Sequence, residues 1–109
     1  MSMLGRVQVP PTVKRGAVFE VRVIVQHPME TGFRRDMDGR AIPLNIVDRL
    51  ACTYGGREVF RVEPGSGIAA NPYFVFPVVA TASGELAVEW HDDRGATGRV
   101  AATVNVVES

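Results

Sequence analysis

The sequence of 109 residues contains one cysteine, Cys52, two histidines, His27 and His91, and one lysine, Lys14. A lone thiol closes no internal disulfide, and with two scattered histidines it falls short of a structural zinc set. No uninterrupted apolar run exceeds four residues, far below the about 20 that a spanning helix needs, so no segment reads as a membrane helix and no membrane partner is expected. The start, Met1-Ser2-Met3-Leu4-Gly5-Arg6, has neither an apolar stretch nor a small-residue cleavage site, and is not expected to be a secretory signal. Twelve basic residues balance twelve acidic ones. Without a cationic field to gather polyphosphate, nucleic acid is excluded as an expected partner. There is also no G-x-S-x-G string, P-loop or G-x-G-x-x-G string, and so no visible home for nucleophilic or nucleotide chemistry.

What is present fits one ordinary domain over residues 1–109, with 46% hydrophobic and 22% charged composition and a length too short for two cores. Its strongest periodicity is two. From Ala17 to Gln26 the odd positions Phe19, Val21, Val23 and Val25 are apolar; from Glu85 to His91, Leu86, Val88 and Trp90 share one face; from Arg99 to Val107, Val100, Ala102, Val104 and Val106 do the same. Each reads as a half-buried strand, with Trp90 a core anchor. Further β-rich runs cover Arg6–Val9, Asn45–Tyr54, Arg57–Glu63 and Tyr73–Ala82, separated by turn signals of which Gly55-Gly56 is the clearest hairpin. Pro10-Pro11 after the first run suits an edge position. No ten-residue helical period appears, and about seven strands with short links predict an all-β, immunoglobulin-like antiparallel sandwich. The cysteine pair that brackets a tryptophan in true immunoglobulin domains is missing, so this likeness concerns architecture alone.

The long irregular segments 27–44 and 64–72 are where a rigid sandwich would carry binding groups. The first holds His27, Met29, Phe33 and Arg34, types enriched in interface cores, and has two readings: a docking loop, or a loop folded back on its own sandwich. His27 with Met29, or His91-Asp92-Asp93, supplies too few ligands for a metal site, and an immunoglobulin-like iron enzyme would need more histidines than two. No cofactor is expected. Cys52 stands in phase with Ile46, Leu50 and Tyr54, which points it into the core as an inert thiol; catalysis by Cys52 would require a base brought from elsewhere in the fold. Pro64-Gly65-Ser66-Gly67 lacks the lysine and the following helix of a phosphate cradle and reads as a turn. The Asn71-Pro72 step starts the next strand and permits close approach by a neighbour.

The strings Gln26-His27-Pro28-Met29-Glu30-Thr31-Gly32-Phe33-Arg34, Ala41-Ile42-Pro43 with Asn45-Ile46, and Ala69-Ala70-Asn71-Pro72 resemble the Z-subunit family of the thiosulfate-oxidation carrier SoxYZ. The Cys52-Thr53-Tyr54 step and the stretch from Ala80-Thr81 to Trp90 follow in the same order, so the likeness covers nearly the whole chain. The resemblance implies a noncatalytic half of a heterodimer with a SoxY-type subunit, whose C-terminal cysteine carries sulfur intermediates. It also implies transient contacts with the cytochrome SoxAX, the hydrolase SoxB and a sulfur dehydrogenase, and a periplasmic location reached by co-export with the signal-bearing partner. A permanent heterodimer buries upwards of about 2,000 Å², so some outward apolar residues should be interface. Val18, Ile24, Val47, Val59, Val75 and Val79 are the strand candidates, the other reading of them being scattered surface apolars or a core face mis-phased by a bulge; beside them stand the loop residues His27, Met29, Phe33, Arg34 and Asn71. The alternative is an immunoglobulin-like binding module of a SoxYZ-like carrier in another periplasmic oxidation pathway.

Overall fold

The computed structural model describes residues 4–27, 29, 33, 35–42, 44–64 and 71–108. Among them are nine strands and no helix: β1 (Gly5–Gln8), β2 (Val13–Lys14), β3 (Val18–Val25), β4 (Val47–Tyr54), β5 (Arg57–Val62), β6 (Tyr73–Val79), β7 (Gly84–Asp92), β8 (Thr97–Val104) and β9 (Val106–Val107). They form an antiparallel sheet in the order β1-β3-β6, a second antiparallel sheet in the order β5-β4-β7-β8, and a parallel β2-β9 pair. The fold is the all-β sandwich that the alternation predicts. Phe19, Val21, Val23 and Val25 of β3 are buried opposite Leu86, Val88 and Trp90 of β7, with Leu50 and Cys52 of β4 beside them. Phe60 stacks on Phe76 with centroids 4.0 Å apart, linking the edge strands β5 and β6 of the two sheets.

Two pairs of glycines set this geometry. Gly55 and Gly56 both have positive φ, 59° and 82°, the backbone that a two-residue hairpin demands and that side chains resist. Gly98 on β8 and Gly5 on β1 clasp Trp90. A Cβ at Gly5 would stand 2.6 Å from the indole Cη2, and one at Gly98 would collide with Cε2 and Cζ2. The indole is therefore held by shape; its Nε1 is buried with no hydrogen-bond partner among the described residues.

Three features differ from the sequence expectation. The β2 strand is two residues long and pairs parallel with β9 across almost the whole chain, a pairing that leaves no alternation to read. The closing strand expected over Arg99–Val107 breaks at Asn105, where the chain leaves β7 and joins β2. Val47, expected on an outward face, is fully buried. The pairing of β4 with β7 shifts register between Val47 and Arg49, so Asp48 and Arg49 are both exposed and the phase counted back from Cys52 fails before the bulge. Val59 is half-buried and packs against the core.

Candidate functional site

β3, β5 and β7 end, and β4, β6 and β8 begin, at one end of the sandwich, and the described residues His27, Met29, Asn45, Asn71 and Asp92 lie there. The chain after β3 does not present His27 and Met29 as a docking surface. Both are buried, at 4% exposure each. His27 keeps the inward parity of Val23 and Val25 one step past the end of β3, whereas Met29 is buried with its backbone in the left-handed region.

The buried imidazole organises this end. His27 Nδ1 accepts the Met29 amide hydrogen at 3.0 Å, so the ring hydrogen sits on Nε2, which donates to Asp92 Oδ2 at 3.3 Å. Asp92 Oδ1 accepts the amides of Arg94 at 2.9 Å and Ala96 at 2.8 Å. Asn45, with Nδ2 facing the carboxylates, donates to Asp92 Oδ2 at 3.1 Å and Asp93 Oδ1 at 3.3 Å. Burial alone would raise the Asp92 pKa, but the Ala96 amide, the imidazole and the Arg94 amide outweigh it and hold the carboxyl below its ordinary value. Asn71, at φ 51°, accepts the His27 amide on Oδ1 at 3.1 Å and donates its own amide to the His27 carbonyl at 2.7 Å. Met29, at φ 52°, accepts the Val47 amide on Sδ at 3.2 Å.

This arrangement pins loops. Both ring nitrogens of His27 and the Met29 sulfur are engaged within the chain, which disposes of the soft-metal pairing of these two side chains. No group of three or more His, Cys, Asp or Glu among the described residues could hold a metal ion. Cys52 lies fully buried in the core, and burial pushes its thiol pKa up to about 12, so the nucleophilic thiolate is scarce at neutral pH.

Of the remaining loop candidates, Phe33 is exposed, Asn71 is exposed but spent on His27, and Arg34 lies outside the described residues, as do Pro28, Glu30, Thr31 and Gly32 of the same string. Beyond Phe33 the chain turns back through a bridge between Arg35 and Ala41, tied by Asp36 Oδ1, which accepts the amides of Asp38 at 2.9 Å and Arg40 at 3.0 Å.

The strand candidates Val18, Ile24, Val75 and Val79 do come together. Val18 pairs with Val79, Arg22 with Val75 and Ile24 with Tyr73, so all of them face outward from the β1-β3-β6 sheet. Every outward residue of β6 (Tyr73, Val75, Pro77 and Val79) is apolar and exposed. The outer face of the other sheet is polar by contrast: Arg99 bridges Glu85 at 2.7 Å and Glu89 at 3.3 Å. Sequence reasoning missed Tyr73 and Pro77 in this patch; their shared parity with Val75 and Val79 was the available signal.

Solved structures share the architecture. A superoxide reductase (neelaredoxin) from Ignicoccus hospitalis aligns with a TM-score of 0.68 at 20% identity, covering 94% of this chain and 80% of that one. A putative superoxide reductase from Thermotoga maritima aligns with a TM-score of 0.73 at 16% identity, covering 95% and 86%. The sulfur carrier protein SoxY from Chlorobium limicola f. thiosulfatophilum aligns with a TM-score of 0.64 at 14% identity, covering 94% and 78%. At these identities the likeness establishes the fold. No curated protein sequence matches the chain. A family model does: the one described as sulphur oxidation protein SoxZ matches residues 7–103, almost the whole of the sandwich, and the chain belongs to the SoxZ family.

Proposed function

We propose that this chain is the noncatalytic subunit of a heterodimeric sulfur carrier, holding and presenting a SoxY-type subunit whose own cysteine bears the sulfur intermediates of thiosulfate oxidation. Membership of the SoxZ family makes the chain a component of a Sox carrier complex. The observation that carries the finer reading is Cys52: the only thiol in the sequence is sealed in the core with its pKa near 12. A covalent carrier needs a thiolate that several enzymes can reach in turn. We assign that thiol to a second chain, with this one contributing binding surface. The same sandwich occurs in the sulfur carrier protein SoxY, which supports a pair of like-folded subunits.

We further propose a periplasmic location, reached with a partner that bears the export signal, and passing contacts with the cytochrome, hydrolase and dehydrogenase that load, cleave and oxidise the bound sulfur. The reading is tested by purifying a tagged copy from its native host during growth on thiosulfate and measuring intact masses. Recovery of a second small chain with sulfur adducts on a C-terminal cysteine supports it. An adduct on Cys52 itself would overturn it.

A further inference from the structure

We infer that the outer face of the β1-β3-β6 sheet, centred on β6, is the seat of the thiol-bearing partner, and that the partner packs on it face to face. The inference rests on the subunit reading above and adds where the partner sits and by what geometry.

A strand on an open sheet face ordinarily alternates apolar inward with polar outward. In β6 both sets are apolar: Phe76 and Val78 are buried, while Tyr73, Val75 and Val79 are 53%, 46% and 52% exposed, with Val18 at 66% and Ile24 at 41% beside them on β3. Glu20 and Arg22, between Val18 and Ile24, are paired with each other at 3.1 Å, so the middle of the patch presents no net charge. A continuous apolar stripe of this kind marks an interaction surface on a soluble domain. The opposite outer face, crossed by the ion pairs of Arg99, has no such stripe.

The edge of β6 is closed to another strand. The Ala80 amide donates to the Ala17 carbonyl and the Val25 amide to the Pro72 carbonyl, so the even-numbered residues of this strand turn their backbone groups toward β3. The odd-numbered ones, Pro77 among them, turn theirs to the free edge. A proline there removes a donor from the middle of the row and blunts strand addition, which leaves the face as the means of contact.

The occupant follows from size and chemistry. β3 and β6 pair over seven residues at about 3.4 Å each, with the four-residue β1 beside them, and strands about 4.8 Å apart make this a face of roughly 10 by 24 Å, widening to about 14 Å along β1. With side-chain relief that is a large part of the about 800 Å² that one side of a standard interface buries. The surface continues around β6 into a groove between β6 and β5, lined by Pro77, Val79, Arg57 and Val59. A flat apolar sheet face is complemented by another sheet face about 10 Å away, and a like-folded sandwich such as SoxY supplies one. A chain with a sealed thiol also needs its thiol-bearing partner held permanently, and permanent pairs use the more apolar of the available faces. A second copy of this chain is the competing occupant.

The test is native-host purification of tagged wild type beside Val75→Glu, Val79→Glu and, on the opposite face, Thr103→Glu, with native mass spectrometry of what co-elutes and thermal melts of each free variant. The inference expects the adduct-bearing second chain with wild type and Thr103→Glu, and a loss of about tenfold or more with either β6 variant at an unchanged melting temperature. Full retention of that chain in both β6 variants overturns the seat, as does a species of two copies of this chain that only the β6 substitutions dissolve. Wild type that recovers no thiol-bearing chain overturns the subunit reading itself, which separates the two failures.

Discussion

His27 Nε2 meets Asp92 Oδ2 at 3.3 Å inside the sandwich, joining the segment that leaves β3 in one sheet to the end of β7 in the other. Both side chains are almost wholly buried, and each is further tied to a loop: His27 to Met29 and Asn71, Asp92 to Arg94 and Ala96. Three connections thus share one polar centre, and losing either partner leaves several buried groups unsatisfied at once.

Asp92→Ala removes the acceptor of one ring hydrogen, two backbone amides and the Asn45 side-chain amide, and is expected to lower unfolding free energy by about 3 kcal/mol, measured in urea. Asp92→Asn should cost less and reveal the pH dependence. The folded carboxyl titrates below its ordinary value, so its stabilisation is complete above the unfolded value of about 3.9 and is lost as pH falls through the folded one. Melting temperatures taken from pH 6 down to pH 2 should fall more steeply for wild type than for Asp92→Asn. Parallel acid limbs would refute the assignment.

Gly98→Ala places a methyl group inside the space of the Trp90 indole. Trp90 is fully buried, and overpacking of this kind costs about 3 kcal/mol. Urea unfolding followed by the fluorescence of this one tryptophan reads the loss. A substitution at Gly84, around which a Cβ would meet no atom within 4 Å, lacks this clash.

Cys52 should resist alkylation in the folded protein. A thiol with its pKa near 12 is thiolate at only about one part in ten thousand at pH 8, and burial bars the reagent as well. Mass spectrometry after iodoacetamide should show no adduct without denaturant and complete modification in its presence. Rapid modification of folded protein would return Cys52 to consideration as a reactive group.

Tyr54→Phe deletes a hydroxyl that accepts the amides of Thr81 and Ala82, each at 3.2 Å, and donates to the Ala82 carbonyl. This hydroxyl ties the end of β4 to the turn between β6 and β7. Its loss is expected to cost about 1 to 2 kcal/mol in chemical denaturation and to speed amide exchange at Thr81 and Ala82.

By itself the sequence determined the sandwich, because a period of two over β3, β7 and β8 leaves one way to bury Phe19, Val21, Leu86, Val88 and Trp90. It also placed Cys52 in the core and held the strings that mark the SoxZ family. It carried a signal for His27 too, since that residue continues the inward parity of β3, but a polar side chain at the start of a loop invites a surface reading. Only the tertiary structure decided what depended on a partner far along the chain. Val47 turned inward because of a register shift against β7, β2 existed as a strand because β9 lay beside it, and His27 was tolerable in the core because Asp92, sixty-five residues on, accepted its hydrogen. The β6 patch belongs to both accounts. Alternation marked Val75 and Val79 as outward, but their union with Val18 and Ile24 into one face required the β3 to β6 register, which local periodicity does not encode.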